Sequence, residues 1–101
     1  MSALELLGGA YFYQTWSYDY PTPEAVVAHF LDDEPESVVE LLTEVDRLIA
    51  SDLSESQLDD VLDKAGFCYS PRLDGRTNRG WLKVVAAMSA RRVLRLPPEH
   101  D

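Results

Sequence analysis

The apolar positions of the chain recur at helical spacing over most of its length. The clearest pattern runs from Val38 to Ile49, where apolar residues fall at i, i+3, i+4, i+7, i+10 and i+11. This spacing places them on one face of a helix and predicts that the face is buried. The apolar run Phe67–Tyr69 is too short to support a sheet. The pattern therefore predicts an all-α fold of about five helices, with one domain over residues 1–96 and a frayed tail over 97–101.

Residues that accept hydrogen bonds from unpaired backbone N–H groups mark the predicted helix starts. Two of these starts have the Ser-x-x-Glu/Gln spacing of a capping box, and one has proline at the first helical position. A glycine just after a helical pattern predicts a left-handed C-terminal cap. The predicted caps are Ser2 with Glu5, Thr22 before Pro23, Asp33, Ser54 with Gln57, Gly66 and Thr77.

The ends of the chain are less regular than its middle. The pair Gly8-Gly9 is expected to bend or end the first helix. We expect a helix over Tyr11–Thr15 and a loop over Trp16–Thr22. The last helix is predicted to bury a stripe formed by Trp81, Val84, Val85 and Met88.

The net charge of −9 is distributed unevenly over the 101 residues. Residues 19–63 hold fourteen carboxylates and one base, whereas residues 64–95 hold eight bases and one acid. The acidity argues against nucleic acid or an anionic membrane as the main partner and favours a basic protein. Two simpler arrangements are equally consistent with this distribution of charge: either the two halves face each other within the fold, or the acidity serves solubility.

The stretch Tyr11–Tyr20 holds six of the ten aromatic residues, and a carboxylate cluster follows it. Such a density of rings is too high for one buried face, so some of them are expected at the surface. The combination predicts a surface that binds a partner. Some of these residues have an alternative to partner binding. Trp16 could belong to the core, and Asp33 and Glu34 could cap helices.

The sequence offers little for catalysis or cofactor binding. It contains no glycine-rich phosphate loop and no zinc-ligand spacing around His29, and the acidic cluster lacks the alternation of a calcium loop. Cys68 is the only cysteine, which suits a reducing cytoplasm. A Cys68–His29 nucleophile pair is one hypothesis, although such a cysteine is more often a small core residue. We therefore predict no catalytic residue, no metal and no cofactor.

Three motifs in order resemble one family. They are L-G-G-A-Y-F-Y-Q-T-W, P-T-P-E-A-V-V-A-H-F-L and Y-S-P-R-L-D-G-R-T-N-R-G-W-L. The set resembles the immunity proteins of bacterial contact-dependent growth inhibition, in the group that includes the immunity protein against a ribonuclease A-like toxin. The similarity spans roughly Leu6 to Val93. The chain departs from the family pattern at Thr15, where an acidic residue is expected, and at Gly80, where a bulkier one is expected.

The resemblance implies a cytoplasmic, helical protein that is not an enzyme. Such a protein binds the C-terminal toxin domain, a basic nuclease-like protein, and blocks its active site. We expect a monomer, or one copy per toxin, because no long unbroken apolar seam is left over for a coiled coil. Its acidic groups would occupy the groove that receives RNA phosphates. Tyr11, Phe12, Trp81 and Leu82 carry much of the family pattern and are expected to serve the fold. The residues predicted to bind the toxin are Trp16, Tyr18, Asp19, Tyr20, Asp32, Asp33, Glu34 and Glu36.

A helical adaptor or regulatory subunit is the competing hypothesis. An adaptor that holds a partner helix would need a contiguous apolar trough at its surface. An immunity protein would instead present an acidic face with polar aromatic anchors. The distribution of charge at the surface and the position of Cys68 distinguish these hypotheses from each other and from a small enzyme.

Overall fold

Helices account for most of residues 1–95, which are the residues that the computed structural model describes. Two 3-10 turns, Pro35–Ser37 and Pro71–Asp74, lie between helices, and a π-helical turn, Leu7–Tyr11, continues the first helix. No strand occurs in this range, so the all-α prediction is confirmed, while the predicted tail 97–101 lies outside it. The α-helices are α1 (Ala3–Leu6), α2 (Trp16–Asp19), α3 (Pro23–Asp33), α4 (Val38–Ala50), α5 (Glu55–Lys64) and α6 (Asn78–Arg95).

The predicted capping residues start most of these helices. At α1 the Ser2 hydroxyl accepts from the Glu5 N–H at 3.2 Å, and the Glu5 carboxylate accepts from the Ser2 N–H at 2.8 Å. These two bonds satisfy N–H groups that the helix itself cannot pair. The same box forms at Ser54 and Gln57, Thr22 caps α3, Thr77 caps α6, and Gly66 adopts the left-handed conformation after α5.

The core forms where α4 packs against α6, the most extensive helix pairing in the fold. α1 covers α4, while α3 and α5 pack on α6. The stripe of α6 lies slightly to one side of the predicted one, because Val84 and Met88 are half-buried whereas Leu82 and Ser89 are fully buried. The side chains at the α4–α6 contact include Val38, Leu41 and Val45 of α4 and Trp81, Leu82 and Val85 of α6.

Trp81 is the centre of an aromatic cluster at the N-terminal end of α6. Its ring lies 5.1 Å from that of Tyr69 and 5.9 Å from that of Phe12, both close to edge-to-face. Phe67 packs 5.2 Å from Phe12 on the other side. Aromatic pairs in this arrangement contribute about 0.5–1.5 kcal/mol beyond their buried area. The cluster therefore joins the end of the π-helical turn, the segment after α5 and the last helix.

The turn after α5 packs very closely against the π-helical turn. A Cβ at Gly8 would lie 2.5 Å from the carbonyl oxygen of Ala65 and 2.6 Å from the Phe67 ring. Gly66 has a φ of +95°, and a Cβ there would lie 3.0 Å from the Cα of Gly9. Only glycine permits this approach without displacing a neighbour. Gly8 and Gly9 do not end the first helix; they lie in a wider turn that extends it.

Two predicted helix boundaries are wrong. The expected order of a helix over Tyr11–Thr15 and a loop over Trp16–Thr22 is reversed, because the π-helical turn ends at Tyr11 and Trp16–Asp19 forms α2. Buried Phe12 leaves helical geometry, with φ −94° and ψ +48°, and its carbonyl accepts from the Cys68 N–H at 2.9 Å. That long-range bond, which local spacing cannot indicate, directs the chain away from the helix.

Asp33 does not cap α4, contrary to the prediction; it is the last residue of α3. A residue before proline avoids the helical conformation, so Glu34 interrupts the helix ahead of Pro35. The 3-10 turn that follows leads into α4 at Ser37. The side chain of Asp33 is consequently released from the backbone and faces other side chains.

Side chains from neighbouring helices cap several helix ends. The carboxylates of Glu40 and Glu44 on α4 accept from backbone N–H groups at the start of α1, at 2.7 and 3.1 Å. Glu55 accepts from the Asn78 N–H at 2.6 Å and from the Arg79 N–H at 3.1 Å. A carboxylate at a helix N-terminus is favoured by the helix dipole. The Arg79 guanidinium donates in turn to the carbonyls of Leu48, Ile49 and Leu53, at and beyond the end of α4.

Candidate functional site

α2 exposes its two predicted aromatic residues to different degrees. Trp16 is half-buried: its ring lies 5.5 Å from those of Phe12 and Tyr69, and its Nε1 donates to the Cys68 carbonyl at 3.1 Å. Tyr18 is 85% exposed. Trp16 therefore holds α2 against the core, and Tyr18 is the ring that α2 presents to solvent.

Asp19 and Tyr20 connect α2 to its neighbours. The Asp19 carboxylate is exposed and accepts from the Tyr13 hydroxyl, a bond that raises the pKa of Tyr13 to about 12. Tyr20 is half-buried, and its hydroxyl lies 2.5 Å from the Nδ1 of His29. The two rings are 5.6 Å apart. The end of α2 is thereby fixed to the middle of α3.

The carboxylates at the end of α3 surround the hydroxyl of Tyr11. This hydroxyl donates to Glu34 at 2.8 Å and to Asp33 at 3.2 Å. His29 lies one turn before Asp33, with its Nε2 3.3 Å from the Asp33 carboxylate. Burial, assisted by the hydrogen bond to Glu34, raises the pKa of Tyr11. The hydroxyl therefore keeps its one proton in neutral solution, and the two carboxylates share that proton as acceptors, with Glu34 the nearer.

Asp32 and Glu36 lie beside this cluster without joining it. The Asp32 carboxylate accepts from the Arg92 guanidinium at 2.6 Å and so faces α6. Glu36 is exposed in the 3-10 turn, and within residues 1–95 it has no hydrogen-bond or ion-pair partner. Of the four carboxylates predicted between residues 32 and 36, Asp33 and Glu34 are held together by one tyrosine, and Asp32 and Glu36 lie at the edge.

Tyr11 and His29 connect the residues that are predicted to bind the toxin, but neither of them is among the predicted binding residues. From the sequence, Tyr11 is predicted to have a structural role, and His29 is considered only as a metal ligand or as a catalytic base. The four-residue spacing of His29 and Asp33 on one helix does indicate their contact. Tyr11 lies 22 residues before Asp33, and no local pattern indicates that pair. We call this set of residues the α2–α3 face: contacts join Tyr11, Tyr20, His29, Asp33 and Glu34, and the exposed residues Tyr18 and Asp19 of α2 complete it.

A groove of about 250 Å³ lies between α2 and the 3-10 turn Pro71–Asp74. Cys68 lines this groove and is exposed, so its interpretation as a core residue is wrong. Successive side chains of an extended segment point in opposite directions. Because Phe67 and Tyr69 both point into the core, Cys68 between them points outward. The groove is also lined by Gln14, Trp16, Ser17, Tyr69, Ser70, Leu73 and Asp74.

The hypothesis of a Cys68–His29 pair finds no contact to support it. The His29 ring is oriented by Tyr20 and Asp33. The Cys68 sulfur has a single hydrogen-bond contact among the described residues, a carbonyl at 3.9 Å. Within residues 1–95 no three His, Cys, Asp or Glu side chains are placed to hold a metal ion. None of the described helices is long and apolar enough to cross a membrane.

Two ion pairs connect the acidic and basic halves of the chain. Arg76 donates to Glu24 at 2.6 Å, and Arg92 donates to Asp32 at the same distance. The guanidinium of Arg76 also lies 5.5 Å above the Trp81 ring. These pairs confirm, at two positions, the prediction that the acidic residues 19–63 and the basic residues 64–95 face each other within the fold. It does not account for the acidic residues of α5, since Asp60 and Asp63 remain exposed.

The fold and the α2–α3 face define a small helical protein with a polar, aromatic and acidic surface. The family model of the CdiI immunity protein matches residues 1–89, so the chain belongs to that family. The resemblance to immunity proteins of contact-dependent growth inhibition is thereby confirmed. Neither the curated proteins nor the solved structures include a match to the chain. As a member of the family, the protein is a toxin-neutralising immunity protein that binds a cognate toxin.

Proposed function

We propose that the cognate toxin is a nuclease, most simply one of the ribonuclease A-like group, and that the α2–α3 face covers its active site. The observation that carries this proposal is the chain of polar contacts from Tyr20 to His29, from His29 to Asp33 and from Asp33 to Tyr11. It connects α2 to the carboxylates of α3 in one continuous surface. Nuclease active sites bind phosphate with basic residues, and a fixed set of carboxylates complements them.

The rings and the carboxylates have different roles in this proposal. Tyr18 provides an anchor, because exposed tyrosines supply much of the binding energy at protein interfaces. Asp19, Asp33 and Glu34 meet lysine, arginine or histidine of the toxin, and Asp32 and Glu36 extend the charge at the rim. Trp16 acts mainly by holding α2 in place. The protein acts in the cytoplasm by binding alone, as one copy per toxin domain.

Calorimetry with the toxin domain encoded beside this gene tests the proposal at low and at raised salt. We expect nanomolar binding that weakens with salt, since exposed charge pairs are screened. Nuclease activity of the toxin should fall to zero at one equivalent. Tight binding of a toxin without nuclease activity would overturn the assignment of the toxin, and binding insensitive to salt would overturn the acidic mechanism.

A pair of variants then locates the face. Tyr18→Ala should weaken binding by about tenfold or more, in the range of an interface anchor. Leu94→Ala is the matched control, because Leu94 is 86% exposed at the far end of α6. Both side chains are largely exposed among residues 1–95, so neither change should alter thermal unfolding. Equal affinity of the two variants would exclude the α2–α3 face.

A further inference from the structure

The groove between α2 and the turn Pro71–Asp74 has the composition of a binding site for a side chain. Leu73 at its rim is 83% exposed, an unusual position for a leucine that no described residue covers. Trp16 also lines the groove and is half-buried. The groove has a volume of about 250 Å³. One long side chain of a partner can enter such a space, whereas a helix cannot.

The charge at the end of the groove selects the kind of side chain. Asp74 is exposed and lines the groove, and one of its oxygens accepts from the Tyr69 hydroxyl at 2.7 Å. A carboxylate has about four acceptor sites, so Asp74 can accept further hydrogen bonds. Two cations lie in or near this turn: Arg76 donates to Glu24, and Arg72 lines a separate cavity together with Glu55 and Asp59. The lining of the groove thus combines two large apolar side chains, Trp16 and Leu73, with a carboxylate that can accept hydrogen bonds.

From this arrangement we infer that the groove receives a lysine or arginine of the toxin domain. The aliphatic stem lies between Trp16 and Leu73, and the charged head reaches Asp74. Long basic side chains cover apolar surface with their stems in this way, and a cation beside a tryptophan ring is attracted to it. The inference rests on the proposed function, since it extends the toxin-binding surface from the α2–α3 face to the groove that Trp16 and Ser17 of α2 line.

The single cysteine of the chain makes a direct test possible without any substitution. Cys68 is exposed within the groove, so its alkylation by iodoacetamide reports whether the groove is open. The rate is followed by mass spectrometry of the peptide that contains Cys68, with and without saturating toxin domain. We expect the toxin to slow alkylation about tenfold or more, as for a thiol placed within an interface. An unchanged rate in a sample that calorimetry shows to be fully bound would overturn the inference and leave the proposed function intact.

A matched pair of charge insertions provides the second test. Leu73→Lys places a cation where the toxin cation should bind, and we expect about a tenfold or greater loss of affinity. Leu94→Lys is the control, because Leu94 is 86% exposed and Leu73 is 83% exposed. Leu94 lies about 20 Å along α6 from Trp81, at a rise of 1.5 Å per residue. Equal affinities of the two variants would overturn the inference. If the unmodified protein does not bind the toxin at all, the proposed function is overturned, and the inference that the groove receives a toxin side chain is overturned with it.

Discussion

The α4–α6 pair and the α2 segment are stabilised by different interactions. α4 and α6 bury continuous apolar stripes, and three residues of α4 are fully buried. α2 is a single turn in which no residue is fully buried. It is held by the indole N–H of Trp16 on a carbonyl and by the Tyr20 hydroxyl on His29. Stability therefore resides in the helix pair, while α2 can change its exposed side chains at little cost to the fold.

The carboxylates likewise fall into a group that stabilises the fold and a group that lies at the surface. Glu40, Glu44 and Glu55 accept from backbone N–H groups at helix starts, so they belong to the fold although the sequence suggests an acidic surface. Asp33 and Glu34 accept from a tyrosine hydroxyl at the surface instead. A count of acidic residues thus overstates the charge that is available to a partner. The difference also predicts which substitutions will affect stability and which will affect binding.

The largest effect on stability is expected from truncation at the α4–α6 contact. Leu41→Ala removes a side chain with no exposed surface and should lower the free energy of unfolding by about 2–5 kcal/mol. Val39→Ala on the same helix is the control; Val39 is 56% exposed, and its change should stay within about 0.5 kcal/mol. Urea unfolding followed by circular dichroism measures both. Equal midpoints would show that the helix pair is not the main source of stability.

The next effect concerns the two adjacent glycines of the π-helical turn. Gly8→Ala should destabilise the protein by about 1–3 kcal/mol, because the added methyl group would meet a backbone carbonyl oxygen at 2.5 Å. Gly9→Ala adds the same group where nothing lies within 4 Å. Thermal unfolding of the two variants compares them directly. A Gly9→Ala variant as unstable as Gly8→Ala would place the cost in helix geometry and contradict the close approach to Ala65.

A smaller effect is expected where a carboxylate caps α6. Glu55→Gln keeps the size of the side chain but removes the charge that accepts from the first N–H groups of α6. We expect a loss of about 1 kcal/mol, as for other charged groups at helix N-termini. Asp60→Asn makes the same neutralisation on an exposed residue of α5 and serves as the control. If Asp60→Asn proved equally destabilising, the loss would come from net charge and not from the cap.

Local signals predicted the helices well, because caps and apolar spacing act within one or two turns. Ser54 with Gln57 and the α4 stripe illustrate this. The α2 segment could not be predicted in the same way, since Trp16 is fixed by a carbonyl 52 residues away. The residue types of the α2–α3 face were evident from the sequence, but their connection through Tyr11 depends on contacts across 22 and 23 residues. The toxin-binding role of that face remains a prediction.

The smallest effect concerns Tyr69, which connects the core to the groove beside α2. Burial, assisted by the hydrogen bond to Asp74, raises the pKa of Tyr69 above the value of about 10 that it has in the unfolded chain. A raised folded pKa gives a contribution to stability that is complete below about pH 10 and is lost as the pH rises through the folded pKa. Tyr69→Phe removes this contribution, so its free energy of unfolding should fall less steeply above about pH 10 than that of the unmodified protein. Denaturant unfolding between neutral and strongly alkaline pH measures the two slopes, and the difference at neutral pH gives the hydrogen bond alone. Parallel curves over the whole range would show that the Tyr69 hydroxyl does not link the core to the groove in this way.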